Sequence, residues 1–174
     1  GNVAEPANDE FYWVKYLGKD FAVDAFKLAR QYGNPGDKLF INDYNLEHSL
    51  AKCDGLIEYV EYIESKGATI DGIGTQMHIT VSTNRDNIVQ MFQKLAATGK
   101  LIKVSELDVQ VGTTTPSAEQ LMAQAEMYKF VVDKYKVLFF DAFGVLKTYN
   151  ALIPGIEETF AYISETGKEF YILT

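Results

Sequence analysis

Five apolar runs in this sequence each deliver polar side chains that could do chemistry. KLFIND at 38–43 presents Asn42 and Asp43 and continues into Tyr44 and Asn45, and DGIGTQMHI at 71–79 carries Gln76 and His78. LIKVSELDV at 101–109 carries Glu106 and Asp108, KVLFFD at 136–141 ends on Asp141, and KEFYIL at 168–173 leads to Thr174. A carboxylate such as Glu106 or Asp141 can act as a nucleophile or transfer a proton, and a histidine such as His78 can orient it. By residue type alone, a strand-end glutamate is more often a solvated rim group. A single histidine is more often a hydrogen-bonded structural residue. DAFG at 141–144 reads equally well as a strand end with a turn.

These runs alternate with longer stretches of helical period. Val14, Leu17, Phe21, Ala25, Leu28 and Tyr32 follow 3,4 spacing in the first, and Leu121, Ala125, Tyr128, Val132 and Tyr135 do so in the fourth. Gly33, Gly67, Gly99 and Gly167 stand where helices should stop in a left-handed cap. Ser117 and Gln120 form a predicted capping box, and Pro154 suits the first turn of the last helix. Strands about thirty residues apart, each followed by a helix, predict an α/β fold: consecutive βα units, with a parallel five-stranded sheet flanked by five helices. The strand-end residues then share one rim, where ligands bind in barrels and open α/β sheets alike.

The bulk composition sets limits. The 174 residues, 47% hydrophobic and 23% charged, fit one globular domain, and two full domains would be cramped. A net charge of -8 argues against nucleic acid and anionic membranes as partners. No apolar stretch approaches the ~20 residues of a membrane span, and the N-terminus has no signal pattern. The single cysteine, Cys53, cannot form an internal disulfide and reads as a core filler.

The run FYWVKYLGKDFAVDAFKLAR, followed by LFINDYNLE, GIGTQMHI and KVSELDV, resembles the second half of a glycoside hydrolase family 10 endo-β-1,4-xylanase, over roughly residues 5–135. The resemblance implies part of a (β/α)8 TIM barrel and retaining hydrolysis of xylan. It makes Glu106 the nucleophile, has His78 orient it, and sets Asn42, Tyr44, Asn45 and Gln76 beside the sugar. In that family the general acid ends the fourth barrel strand, ahead of the helix matching FYWVKYLGKDF. The expectation is that this chain lacks that strand and the three before it, and that Glu5 is a loop residue. The family's eighth strand carries a tryptophan, whereas Trp13 lies in the first helix.

Residues 136–174, KVLFFDAFGVLKTYNALIPGIEETFAYISETGKEFYILT, are similar to the opening of a haloacid dehalogenase-superfamily (HAD) phosphohydrolase, a Rossmann-like fold. This second resemblance makes Asp141 a nucleophile and Thr174 a phosphate binder, with Mg²⁺ a cofactor only if that site works and otherwise none. Phe143 stands where that group carries its second aspartate.

The two resemblances meet near Tyr135-Lys136, between a helix and a strand. The leading expectation is a chimera, most simply an engineered one: a single α/β domain over 1–174, with a xylanase-like half-barrel to 135 and a dehalogenase-like segment beyond, both active sites incomplete and without efficient catalysis. The alternatives are a retaining xylanase fragment using Glu106 and a phosphohydrolase using Asp141. Exposed edges of a half-barrel predict a homodimer, and a remnant site for xylan or xylo-oligosaccharide is the partner the first resemblance implies. The first parent family implies a secreted or cell-surface protein and the second a cytoplasmic one, so localisation stays open.

Overall fold

The computed structural model describes residues 12–141, 151 and 155–173. The chain divides into two compact units, residues 1–114 and 115–174.

In the first unit, helices α1 (Tyr12–Leu17) and α2 (Phe21–Tyr32) precede β1 (Phe40–Asp43), α3 (Leu50–Ser65), β2 (Gly72–Thr75), β3 (His78–Thr80), α4 (Arg85–Ala97), β4 (Leu101–Val104) and β5 (Asp108–Gln110). β2 lies between β1 and β4 in a parallel three-stranded sheet, and β3 pairs with β5 in a second parallel ladder. The second unit holds α5 (Ala118–Val132), β6 (Val137–Asp141), α6 (Ile156–Glu165) and β7 (Glu169–Leu173), with β6 and β7 parallel. All the described strands are therefore parallel, as predicted, but they form three separate sheets rather than one five-stranded sheet.

The difference comes from runs 71–79 and 101–109, each of which breaks into two strands. Met77 adopts a left-handed backbone (φ 67) while its side chain is fully buried. The chain there turns to follow its own core anchor, which a strand's alternation cannot accommodate. Hydrogen bonds carry across the break: Ser105 N–H donates to Thr75 O (3.0 Å) and Glu106 N–H to Gln76 O (3.1 Å). The short second ladder thus continues from the first toward the strand ends.

The core of this unit lies between the sheet and helices α3 and α4. Leu56, Val60 and Ile63 of α3 and Ile88, Met91 and Leu95 of α4 are buried with Ile73 of β2 and Ile79 of β3. Removing one such side chain typically costs about 2–5 kcal/mol. Both helices start at real caps. Ser49 accepts from Lys52 N–H, and Asn84 accepts from Asp86 and Asn87 N–H.

The predicted first helix breaks at Gly18 (φ 70) into α1 and α2. Its expected apolar face is largely open: Leu28 is 52% and Tyr32 78% exposed, and α2 buries Ala22 and Val23 instead. Leu121 of α5 is exposed too, while Met127 and Val131 are buried. Periodicity correctly marks an apolar stripe, but only a covering layer makes a stripe a core. Gly67, Gly99 and Gly167 take the left-handed caps. Gly33 instead ends α2 in an extended conformation, and its side-chain-free Cα is needed because a Cβ would lie 2.6 Å from Ala29 O.

In the second unit the Ser117–Gln120 capping box is present in both directions. Tyr162 O–H of α6 donates to Asp133 (2.7 Å), which also accepts from Lys129 (2.7 Å). Pro154 lies outside the described residues. Among the described residues no helix is long and apolar enough to cross a membrane.

Candidate functional site

The rim expected at the strand ends exists in the first unit. β1 ends on Asn42 and Asp43, and the loop to α3 begins with Tyr44 and Asn45. In the second ladder the register sets His78 directly opposite Asp108, so the two side chains meet across adjacent parallel strands.

His78 is the hub. Its Nδ1 lies 2.7 Å from Asp108 Oδ1, and its Nε2 lies 3.5 Å from Glu106 Oε2. The hydrogen bond to Asp108 is the main reason its pKa is held above the ordinary histidine value, opposed by partial desolvation and reinforced by the negative charges of Asp108 and Glu106. Protonated, the ring donates to both carboxylates and holds them on either side. The three side chains are accessible, with Glu106 47% and His78 43% exposed. A ligand can reach the Glu106 carboxylate without any rearrangement of the core.

Asn42 joins this group from β1. Its Oδ1 accepts from Ser105 Oγ (3.1 Å), the residue before Glu106. The approach depends on Gly74 on the strand between, where a Cβ would lie 2.3 Å from Asn42 Oδ1. Gln76 contributes backbone: its N–H donates to Asp43 O (2.9 Å) and its carbonyl accepts from Glu106 N–H. Alternation predicts Gln76 and His78 on one side. With Met77 left-handed between them that relation lapses, and Gln76 is half-buried while His78 is exposed. The side chain of His48 reaches the same edge, with Nε2 3.2 Å from the His78 carbonyl.

Sequence reasoning put Asp108 on the rim but gave it no task. The available signal was the two-residue spacing from Glu106 together with a histidine on the neighbouring strand. The same reasoning put Asp43 on the rim as well, whereas Asp43 is buried together with Glu47 and Lys52, two charges it did not single out; all three are at most 4% exposed. Cys53 is a core residue, its thiol pushed up to about 11 chiefly by burial. That value suits a filler, not a nucleophile.

Asp141 is the last residue of β6 in the second unit, and nothing of its side chain is described; Thr174 lies outside the described residues. Among the described residues no group of three His, Cys, Asp or Glu side chains could hold a metal.

Comparison with known proteins bears on these assignments. The model of glycosyl hydrolase family 10 matches residues 4–142. Endo-1,4-beta-xylanase A of Thermoanaerobacterium saccharolyticum is 41% identical over 124 residues, which is 71% of this chain and 10% of that protein. Endo-1,4-beta-xylanase A of Halalkalibacterium halodurans is 33% identical over 172 residues, which is 92% of this chain and 42% of that protein. Among solved structures, an intracellular xylanase of T. saccharolyticum in complex with xylotriose matches with TM-score 0.65 and 38% identity, covering 72% of this chain and 38% of the other. The chain thus spans less than half the length of each of these relatives.

These findings overturn the chimera. The family match runs through Tyr135-Lys136 and takes in the whole of β6 with Asp141, and the H. halodurans relative aligns along nearly the entire chain. Nothing in these matches supports a dehalogenase segment, its Rossmann-like half or a phosphohydrolase reading of the chain. The physical reason for the misreading is that an apolar strand ending in Asp and a glycine turn is a generic βα element, which many α/β folds share. The homodimer gains no support either.

Proposed function

This chain belongs to glycosyl hydrolase family 10, and on that premise we propose that it is the nucleophile-bearing segment of a retaining endo-1,4-β-xylanase acting on xylan and xylo-oligosaccharides. The observation that carries the reading is His78 set between Asp108 at 2.7 Å and Glu106 at 3.5 Å, on a rim open to a polymeric substrate.

In the proposed reaction the Glu106 carboxylate attacks the anomeric carbon of a bound xylose unit. The C–O bond to the leaving sugar breaks, and the departing oxygen takes a proton from a general acid. Water then hydrolyses the glycosyl ester, returning the carboxylate. The second carboxyl of such a pair stands about 5–5.5 Å from the first, and the family resemblance assigns it to a strand ahead of α1. Asp108 fixes the His78 ring, and His78 in turn orients Glu106. Asn42, Tyr44, Asn45 and Gln76 border the sugar. No metal or cofactor enters these steps.

A 2-deoxy-2-fluoro-xylobioside with a dinitrophenyl leaving group tests this on the chain itself, because so good a leaving group departs without an acid. Mass spectrometry should show one glycosyl adduct, on Glu106. A chain that remains unlabelled, or is labelled elsewhere, sinks the assignment.

A further inference from the structure

Lys52 lies near the start of α3, yet its side chain is only 2% exposed, as is that of its partner Asp43. Its ammonium has three protons and three partners. Nζ is 3.1 Å from Asp43 Oδ1, donates to the Tyr44 carbonyl, and sits 3.8 Å above the centre of the Tyr44 ring. Asp43 Oδ1 also accepts the Tyr44 N–H at 2.8 Å. Both backbone polar groups of Tyr44 are thereby tied to one ion pair.

The next residue shows what the tie maintains. Asn45 has φ 60, a left-handed conformation that asparagine tolerates better than most side-chained residues but that still needs its surroundings to hold it in one place. Its carbonyl accepts from His48 N–H (3.3 Å) and Ser49 N–H (3.1 Å), which leads the chain into α3. Beyond it, Glu47 is fully buried and accepts from Thr75 Oγ1 of β2 (3.3 Å). The loop between β1 and α3 is pinned from below at both ends.

Stability alone does not account for a charged pair here. Two apolar side chains of similar size commonly serve folding as well or better than a buried ion pair. The pair is moreover imperfect as a stabiliser, since Asp43 Oδ2 has no hydrogen-bond partner among the described residues. What the ammonium supplies, and a hydrocarbon cannot, is a fixed direction for the Tyr44 carbonyl and ring. We propose that Lys52, through its pair with Asp43, is the positioning residue that sets the Tyr44–Asn45 wall of the sugar site. The consequence for sugar binding rests on the xylanase reading; the positioning does not.

The test uses Asp43→Leu/Lys52→Met, which removes both charges together, in the 174-residue chain. Amide order parameters for Tyr44 and Asn45 should fall from about 0.85 to below about 0.6, while those of Phe40 and Ile41 stay near the rigid value. Xylotriose affinity, measured by calorimetry, should weaken about tenfold or more, the scale expected of a displaced contact group. A loop as rigid as in the parent overturns the proposal, and so does a double variant that cannot fold, since the pair would then serve stability. If the parent chain binds no xylotriose, the xylanase reading fails, and the order parameters still decide the positioning.

Discussion

Two charged groups in the first unit are built in opposite ways. The Asp108–His78–Glu106 group stands in the open, its members 43–47% exposed, on strands whose register alone brings His78 and Asp108 together. The Asp43–Lys52 pair beneath the same rim is 2% exposed on either side. Solvent screens the first group, so its ion pairs contribute little to folding, and its carboxylate stays available to a substrate. The second is shielded, so its geometry is stiff, and breaking it is costly. Exposure suits the groups that react, and burial suits the groups that hold others in place.

The largest effect is expected of Glu106→Gln. Labelling by the fluoro-xylobioside should fall by about a thousandfold or more, as for loss of a nucleophile. The unfolding free energy should move by no more than about 0.5 kcal/mol, as at other exposed sites. A large loss of stability would show that the rim carboxylate is structural after all.

Lys52→Met probes the opposite case. It strands the Asp43 carboxylate in the interior and should lower the unfolding free energy by about 3–5 kcal/mol, read by urea titration. The Asp43→Leu/Lys52→Met double variant should recover most of that loss. A loss confined to the single variant locates the cost in an unpaired buried charge.

The pH dependence sharpens the rim side. His78 titrates above the ordinary histidine value of 6.5, so the ion pairs it makes are complete below that pH and are lost as the pH rises through its raised native pKa. Labelling of Glu106 should decline over the same interval. Replacing Asp108 with Asn removes the largest cause of the shift, so the His78 titration followed by NMR should move down toward 6.5. A titration that stays put would mean that Asp108 does not hold the ring.

The smallest effect concerns the helix starts, which serve both groups only indirectly. Asn84→Ala removes the acceptor for the Asp86 and Asn87 amides and should cost about 1 kcal/mol in thermal or urea unfolding. Labelling should be unchanged.

Much of the rim is legible in the sequence. The apolar runs ending in NDYN, QMH and SELD predicted parallel strands delivering polar residues to a common edge, and His78 beside Glu106 followed from the family resemblance. Two features were not legible. The left-handed Met77 was hidden because a buried, non-glycine residue gives no local sign that it must turn. Lys52 was hidden because its spacing is that of any helix surface position, and nothing local says that Tyr44 and Asp43 will close over it. The reading of 136–174 as dehalogenase-like failed for a related reason: a single β–α–β stretch carries too little pattern to distinguish one α/β family from another.

What the amino-acid sequence determined by itself is the order of strands and helices, the capping box at Ser117 and three of the four left-handed glycine caps, since each depends on residues within a turn or two. Tertiary structure alone decided the split of two strands, the pairing of His78 with Asp108, and which charges are buried. Those outcomes depend on strand register and on which surfaces cover which; His78 and Asp108 meet across 30 positions, and even the Asp43–Lys52 contact, nine positions apart, forms only once the loop and α3 pack together.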